Sequence, residues 1–243
     1  MKIGLIGYGK MGKTIEKLIV ENYPMHEVTL KIDANNLQDL TVENLQKVDV
    51  AIEFSTPQTV VENILLCLKA GTPIVVGTTA WAEKLAFVIE KCNALDGTLF
   101  YSPNYSIGVN IFFEINKKMA ALMQNQPQYS LEMEEIHHTE KLDAPSGTAI
   151  RAAEVILENY NLKKNWQLAT NSTIDSPESL LITAKREPNV PGTHTVKYLC
   201  SVDEITISHQ AYSREGFADG AIKAALWLVG KKGIYQMKDL LSF

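Results

Sequence analysis

A short run in the middle of the chain, residues 135–149, gathers side chains suited to binding and protonating a small acid. Its chemistry-bearing residues are His137, His138, Lys141, Ser146, Gly147 and Thr148. From Ser146 onward, apolar residues recur at helical spacing. Because the first N–H groups and the macrodipole of a helix attract carboxylates, we predict that this run binds a small molecule carrying carboxylate groups.

Two simpler interpretations compete with this one. Ser146 taken alone would be explained by helix capping. His137 and His138 suggest a metal, but adjacent residues of a strand point to opposite faces and do not readily share one ion, so we predict no metal. The same alternation means that at least one of the two imidazoles meets solvent or ligand, which favours a binding site over a structural role.

A second candidate site lies at the start of the chain. Gly7, Gly9 and Gly12 have the Gly-x-Gly-x-x-Gly spacing of a dinucleotide-binding loop, between a predicted strand and a predicted helix. Asp33 ends the next predicted strand, where a carboxylate accepts hydrogen bonds from an adenosine ribose and repels an added phosphate. The sequence therefore predicts a nicotinamide cofactor, NADH or NADPH, with NADH favoured, although Lys10 or Lys31 would allow NADPH.

The predicted cofactor site extends to two further loops that follow strands. A parallel sheet binds its ligands at the carboxyl ends of its strands, and plain loops are the competing interpretation. The predicted cofactor residues are Gly7, Tyr8, Gly9, Lys10, Met11, Gly12, Asp33, Gly77, Thr78, Thr79, Ser102, Pro103, Asn104 and Tyr105.

The order of predicted elements indicates an α/β protein with two domains. Short apolar strands alternate with helices up to about residue 101, which predicts a Rossmann-type doubly wound parallel sheet. Longer alternating strands then predict a second α+β domain on a mixed or antiparallel sheet. We expect a dinucleotide-binding domain of residues 1–108 plus 218–243 and a substrate-binding and oligomerisation domain of residues 109–217. The polar stretch 161–177 is predicted to be a loop or an excursion of unknown role.

Individual elements follow from periodicity. Strands are predicted at 2–7, 27–33, 48–54, 73–77, 98–101, 129–136, 180–186, 193–199 and 204–210. Helices are predicted at 11–20, 57–70, 81–93, 111–123, from Ser146 onward, and at 217–230, the last packing back on the first domain.

Composition excludes several classes of protein. The formal net charge of −5 across 243 residues gives no general attraction to nucleic acid. Apolar runs are too short for a membrane span, and the first residues lack a secretory signal, so we expect a cytoplasmic protein. Cys67, Cys92 and Cys200 are widely spaced and are predicted to be buried thiols.

These motifs resemble the dihydrodipicolinate reductase family over nearly the whole chain. The matching stretches are Gly7–Gly12, Glu53–Pro57, Gly77–Thr79, Pro103–Asn110, the run from His137 to Ala149, Gly192–His194 and Ser213–Gly220. The run from His137 to Ala149 is the stretch most specific to that family.

The resemblance implies an activity and a set of roles. It implies 4-hydroxy-tetrahydrodipicolinate reduction in lysine and diaminopimelate biosynthesis, with hydride transfer from the cofactor followed by protonation of the ring. His137 and Lys141 fall at the positions assigned to acid chemistry, and His138, Gly147 and Thr148 at those that hold the substrate carboxylates. Which of His137 and Lys141 delivers the proton stays open. Arg214 and His194 either orient these groups or bridge domains.

Further implications concern assembly and cofactor choice. The family resemblance implies a homotetramer built through the second domain's sheet. The chain departs from the usual motifs at Glu53, Ser55 and Ala80, and Ala34 replaces a frequently basic residue, which bears on cofactor preference. The leading hypothesis is therefore an NAD(P)H-dependent reductase of a cyclic dicarboxylate. The alternatives are a two-domain NAD-dependent amino-acid dehydrogenase and a nucleotide-binding regulator without turnover.

Overall fold

The computed structural model describes residues 1–170 and 176–243. The strands are β1 (Lys2–Ile6), β2 (Glu27–Ile32), β3 (Val50–Glu53), β4 (Ile74–Val76), β5 (Thr98–Tyr101), β6 (Ser130–His137), β7 (Asn165–Leu168), β8 (Ser179–Arg186), β9 (Gly192–Leu199), β10 (Glu204–Ala211) and β11 (Gly233–Tyr235). The helices are α1 (Lys10–Asn22), α2 (Val42–Leu45), α3 (Val60–Ala70), α4 (Leu85–Ala94), α5 (Ile107–Met123), α6 (Gly147–Leu157), α7 (Glu215–Leu228) and α8 (Met237–Leu241). The chain divides into two compact units, one of Met1–Ile107 with Glu215–Phe243 and one of Gly108–Arg214.

The first unit is built on a parallel sheet of strand order β11-β5-β4-β3-β1-β2. Its central strands β3 and β4 are buried along their whole length, as expected for strands covered on both faces. One face packs with residues of α1 and α7, and the other with residues of α3 and α4. The predicted Rossmann-type doubly wound sheet is confirmed.

The second unit is built on a mixed sheet of order β10-β9-β6-β8-β7. β6 and β7 each run parallel to β8, whereas β6 and β10 run antiparallel to β9. The inner face of this sheet packs against α5 and α6 in one core that includes Met133, Ile182 and Val196. The predicted second domain on a mixed sheet is therefore confirmed as a fold class.

Several local predictions were wrong. The stretch 161–177, predicted to be a loop, contains strand β7, and residues 171–175 of it lie outside the described residues. Pro57 lies in a turn in which the Thr59 N–H donates to the Thr56 carbonyl, and α3 begins only at Val60. β11 and α8 were not predicted, since three and five residues are too few to show a period.

Two further expectations concern cysteines and membranes. Cys67 and Cys92 are buried as predicted, but Cys200 is partly exposed and its thiol donates to Asp203 Oδ1 at 3.4 Å. Within residues 1–170 and 176–243, none of the helices has the length and apolar character needed to span a membrane.

Candidate active site

The glycine loop joins β1 to α1 and is shaped by its backbone. Gly7 has φ of +92°, and a Cβ there would lie 2.1 Å from the Phe54 carbonyl oxygen, so only glycine fits. A Cβ at Gly12 would lie 2.7 Å from the Gly7 oxygen, whereas at Gly9 nothing lies within 4 Å. The loop is pinned because Gly7 and Tyr8 both donate to the Ile32 carbonyl.

This loop fits a dinucleotide pyrophosphate. Gly9 is the N-cap of α1 and provides no side-chain cap, so the N–H groups of the first turn are left for another acceptor. The open space at Gly9 permits close approach of a phosphate. Lys10 and Met11 begin the helix, with Lys10 exposed.

Charged residues gather at and after the end of β2, where the sequence predicts the ribose contact of the cofactor. Asp33 is partly buried, and its Oδ1 accepts the N–H of Asn35 at 2.7 Å. Lys31 Nζ lies 2.6 Å from Glu16 Oε1 and 5.3 Å from the centre of the Tyr8 ring. Tyr8 also hydrogen-bonds Glu16. Lys31, one of the two lysines that the sequence offers to an NADPH phosphate, is thus paired with Glu16.

The two predicted loops after β4 and β5 lie at the carboxyl edge of the sheet. A Cβ at Gly77 would lie 2.1 Å from the Phe54 ring, and Thr78 Oγ1 accepts the Ser55 N–H at 2.8 Å. A cavity of about 190 Å³ is lined here by Val76, Thr78, Thr79, Ala80, Trp81, Ala82, Leu85, Tyr101, Ser102 and Pro103.

Asn104 and Tyr105 both form hydrogen bonds within the protein. Ser102 Oγ donates to the Asn104 carbonyl at 2.7 Å, and Asn104 Oδ1 accepts the Ser106 N–H at 2.9 Å. The Tyr105 side chain is buried and donates to the Val76 carbonyl at 2.7 Å. A role of Tyr105 in cofactor binding would therefore involve its main chain.

In the second unit, the predicted substrate run forms the start of α6. Ser146 is the N-cap, and its Oγ accepts the Ala149 N–H at 3.1 Å. Because Ser146 is 3% exposed and its Oγ also lies 3.1 Å from His194 Nε2, its hydroxyl serves the cap. Gly147 is exposed and Thr148 partly exposed, so the helix start is accessible through these two residues.

The two histidines differ in environment, as alternation predicts. His137 ends β6 and is buried, whereas His138 follows the strand and is partly exposed. A cavity of about 350 Å³ is lined by His138, Thr139, Glu140, Pro188, Asn189, Val190, Pro191 and Arg214. Within the second unit, His138 and Arg214 thus border one polar cavity.

Lys141 lies in the loop between β6 and α6. Its Nζ is 2.8 Å from both carboxylate oxygens of Asp143, which is itself exposed. Its side chain is 21% exposed. An ammonium held by an exposed carboxylate remains available to an anionic ligand.

A buried carboxylate, Glu135, was missed in the sequence. Both its oxygens accept the Ser146 N–H, at 3.1 and 3.0 Å, and Arg186 Nη1 lies 3.6 Å from Oε1. The sequence does contain a signal for it. Glu135 and His137 occupy the same alternate positions of β6 as the apolar residues Leu131 and Met133, so they lie on the same face of the strand. Two charged or titratable residues on the buried face of a strand indicate a site.

Burial sets the protonation of the two inner histidines. The pKa of His137 is lowered chiefly by desolvation, with Glu135 opposing the shift and Lys141 and Arg186 adding to it. Desolvation lowers the pKa of His194 to about 3, with smaller contributions from His137, His209 and Lys141. Both imidazoles are therefore neutral at neutral pH.

Among the residues that the structure describes, Glu135, His137 and His194 form a group that could hold a metal ion. One ligand atom from each lies within 4.8 Å of the others, and all three residues are buried. Glu135 already accepts the Ser146 N–H and faces Arg186. The charge of the cluster is thus balanced by the guanidinium, which makes a dication less favourable there.

Comparison with known proteins identifies relatives of both halves of the chain. Residues 1–105 match the family model "Dihydrodipicolinate reductase, N-terminus", and residues 108–241 match "Dihydrodipicolinate reductase, C-terminus". The 4-hydroxy-tetrahydrodipicolinate reductase of Christiangramia forsetii is 46% identical over 100% of this chain and 98% of its own. That of Methanococcoides burtonii is 37% identical over 88% and 82% of the two chains.

Solved structures show the same fold. A dipicolinate-bound dihydrodipicolinate reductase from Paenisporosarcina superposes with a TM-score of 0.79 at 24% identity, covering 97% of both chains. A C. glutamicum DAP dehydrogenase superposes with a TM-score of 0.52 at 13% identity, covering 100% and 98%. At these identities the likeness concerns the fold.

Proposed function

The chain belongs to the dihydrodipicolinate reductase family, and from this membership we infer that it is a 4-hydroxy-tetrahydrodipicolinate reductase, an NAD(P)H-dependent oxidoreductase. The observation that carries this inference is the full-length relation to reductases of that name. The substrate is a small cyclic dicarboxylate in lysine and diaminopimelate biosynthesis.

We propose that the start of α6 binds a substrate carboxylate. Gly147 and Thr148 offer main-chain N–H groups and a hydroxyl at the positive end of the helix dipole. The Ser146 hydroxyl keeps the helix start in shape by capping it. His138 and Arg214, beside their shared cavity, supply further donors to an anion.

A bound nicotinamide supplies the hydride, and the residues of this chain hold it and deliver the proton. The glycine loop, Asp33 and the loops at Gly77–Thr79 and Ser102–Asn104 are the proposed cofactor contacts. We assign protonation to Lys141, because its ammonium is paired with Asp143 while the buried His137 is neutral near pH 7. His137 then orients the substrate by hydrogen bonding.

NADH is the proposed preferred cofactor. The Asp33 carboxylate at the end of β2 opposes an added phosphate on the ribose. Lys31, which could otherwise bind that phosphate, is paired with Glu16. We further propose a cytoplasmic homotetramer, supported by the outer face of the second sheet. That face carries exposed or partly exposed residues such as Glu132, Thr183 and Lys197.

A coupled assay tests the activity. The protein is mixed with the product of dihydrodipicolinate synthase and NADH, and absorbance of the reduced cofactor is followed. We expect rapid oxidation that depends on the synthase product. If NADH is not oxidised at any pH near neutrality, and NADPH is not oxidised either, the proposed function is wrong.

A further inference from the structure

Three neighbouring strands of the second unit place polar residues on a face that is otherwise apolar. In the middle of this face, Met133 of β6 pairs with Ile182 of β8 and Val196 of β9. Two residues further along β6, Glu135 lies directly opposite His194 of β9. The apolar core therefore ends in a buried polar layer.

The last residue of β6 extends this layer. His137 lies opposite Arg186 of β8. The ring of His137 packs against the backbone of β9, where a Cβ on Gly192 would lie 3.0 Å from its Nε2. The imidazole position therefore depends on the strands on both sides of it.

Glu135 is at the centre of the layer. Its side chain has no solvent exposure, and it accepts the Ser146 N–H with both oxygens. Its Oε2 lies 3.5 Å from His137 Nδ1 and 3.8 Å from His194 Nε2. One carboxylate thus faces both the start of the carboxylate-binding helix and the imidazole beside the proposed proton donor.

Arg186 links the layer to the loop that carries Lys141. Its Nε donates to the Lys141 carbonyl at 3.2 Å, and its Nη2 donates to the Asp143 carbonyl at 2.7 Å. Its Nη1 faces Glu135 at 3.6 Å. The guanidinium compensates the buried carboxylate, which is strongly destabilising if left unpaired.

We infer that Glu135 is a positioning residue of the reaction: it fixes the α6 start through the Ser146 N–H and places a negative charge 3.5 Å from the His137 imidazole, and Arg186 links this carboxylate to the loop of Lys141. The inference rests on the proposed function for its meaning in catalysis. The geometry itself is a property of the second unit.

The test compares Glu135→Gln with Glu134→Gln. Glutamine keeps the size and removes the charge, and Glu134 is the matched control because it lies on the opposite face of the same strand, paired with Lys185 at 2.5 Å. Pyridine-2,6-dicarboxylate serves as the binding probe. We expect Glu135→Gln to weaken its binding about 10- to 100-fold, because the charge-assisted hydrogen bond from the Ser146 N–H becomes a weaker one to a neutral amide oxygen and Arg186 loses its buried partner. Glu134→Gln should leave the binding unchanged.

A second measurement separates positioning from general damage. The charged and titratable groups around the imidazole of His137 are Glu135, Lys141, Asp143, Arg186 and His194. Among these, the Glu135 carboxylate raises the His137 pKa most, and Asp143 raises it less. Removing the Glu135 charge should move the His137 titration, followed by NMR, to lower pH. The Glu134→Gln protein should titrate as the wild type does.

Unchanged probe affinity together with an unchanged His137 titration in folded Glu135→Gln protein would overturn the inference. If Glu135→Gln does not fold, Glu135→Asp takes its place, because it keeps the charge but shortens the side chain by one methylene. Wild-type affinity for the probe in the Glu135→Asp protein would also contradict the inference. Neither readout requires turnover. A wild-type protein that reduces no substrate would therefore contradict the proposed function while leaving the histidine titration as a test of Glu135.

Discussion

Truncation of Lys141 to alanine should separate activity from stability. The Lys141–Asp143 pair joins a side chain that is 21% exposed to one that is 60% exposed, and pairs near the surface contribute about 0–1 kcal/mol. The loop itself is held through main-chain carbonyls of Lys141 and Asp143 that Arg186 binds, and the substitution keeps both. We therefore expect a loss of less than about 1 kcal/mol in the free energy of unfolding.

The effect on turnover should be far larger. General-acid catalysis contributes about 100- to 10,000-fold, or roughly 3–5 kcal/mol of transition-state stabilisation. The Lys141→Ala protein should lose kcat by that factor while its affinity for NADH, measured by fluorescence titration, stays unchanged. Lys185→Ala is the control, because Lys185 forms a comparable ion pair on the second unit with Glu134.

The result that refutes the assignment is specific. If Lys141→Ala keeps kcat within about threefold of the wild type, well below the expected general-acid factor, Lys141 does not deliver the proton, and His137 becomes the remaining candidate. If kcat and NADH affinity fall together with a lowered denaturation midpoint, the loop has collapsed and the stability estimate is wrong.

Two other predictions follow from charge. Glu16→Gln frees the ammonium of Lys31, so kcat/KM for NADPH relative to NADH should rise about fivefold, corresponding to ~1 kcal/mol for one exposed charge pair. Glu21→Gln on the same helix is the control. An unchanged ratio in the Glu16→Gln protein would contradict the role given to Glu16. The pKa of His194 is about 3 in the fold and about 6.5 when unfolded, so the unfolded state binds more protons between these values. The free energy of unfolding should therefore have its full value above about pH 6.5 and fall by up to about 1.4 kcal/mol per pH unit below it. Urea denaturation across that range measures the slope, which His194→Asn should flatten; an equal slope in both proteins would rule out His194 as the source.

Local patterns in the sequence predicted the elements that carry the proposed cofactor site. The Gly7–Gly12 spacing and the apolar runs of β1 to β5 are properties of contiguous residues, and so is the Ser146 cap of α6. Each of these depends on neighbours within a few positions. The corresponding expectations needed no knowledge of the tertiary structure.

The surroundings of Glu135 depend instead on strand register. Arg186 and His194 belong to β8 and β9, and they meet Glu135 because β8 pairs parallel and β9 antiparallel with β6. Periodicity places each residue on an inner face but does not determine which residues lie side by side. Strand β7 was missed for a related reason, since its four residues are stabilised by pairing with β8.

The division of the chain has a consequence for synthesis on the ribosome. The first unit is interrupted, because α7 and β11 come from residues 215–243, after the whole second unit. α7 supplies Ala221, Ile222 and Ala225 to the core beside Val50 and Phe100. Until those residues emerge from the exit tunnel, the apolar face of the nascent parallel sheet that packs against α1 and α7 lacks the part of its cover that α7 provides. We therefore expect the second unit to complete its folding first during translation, and stalled nascent chains that end before residue 215 to be sensitive to protease in the first unit.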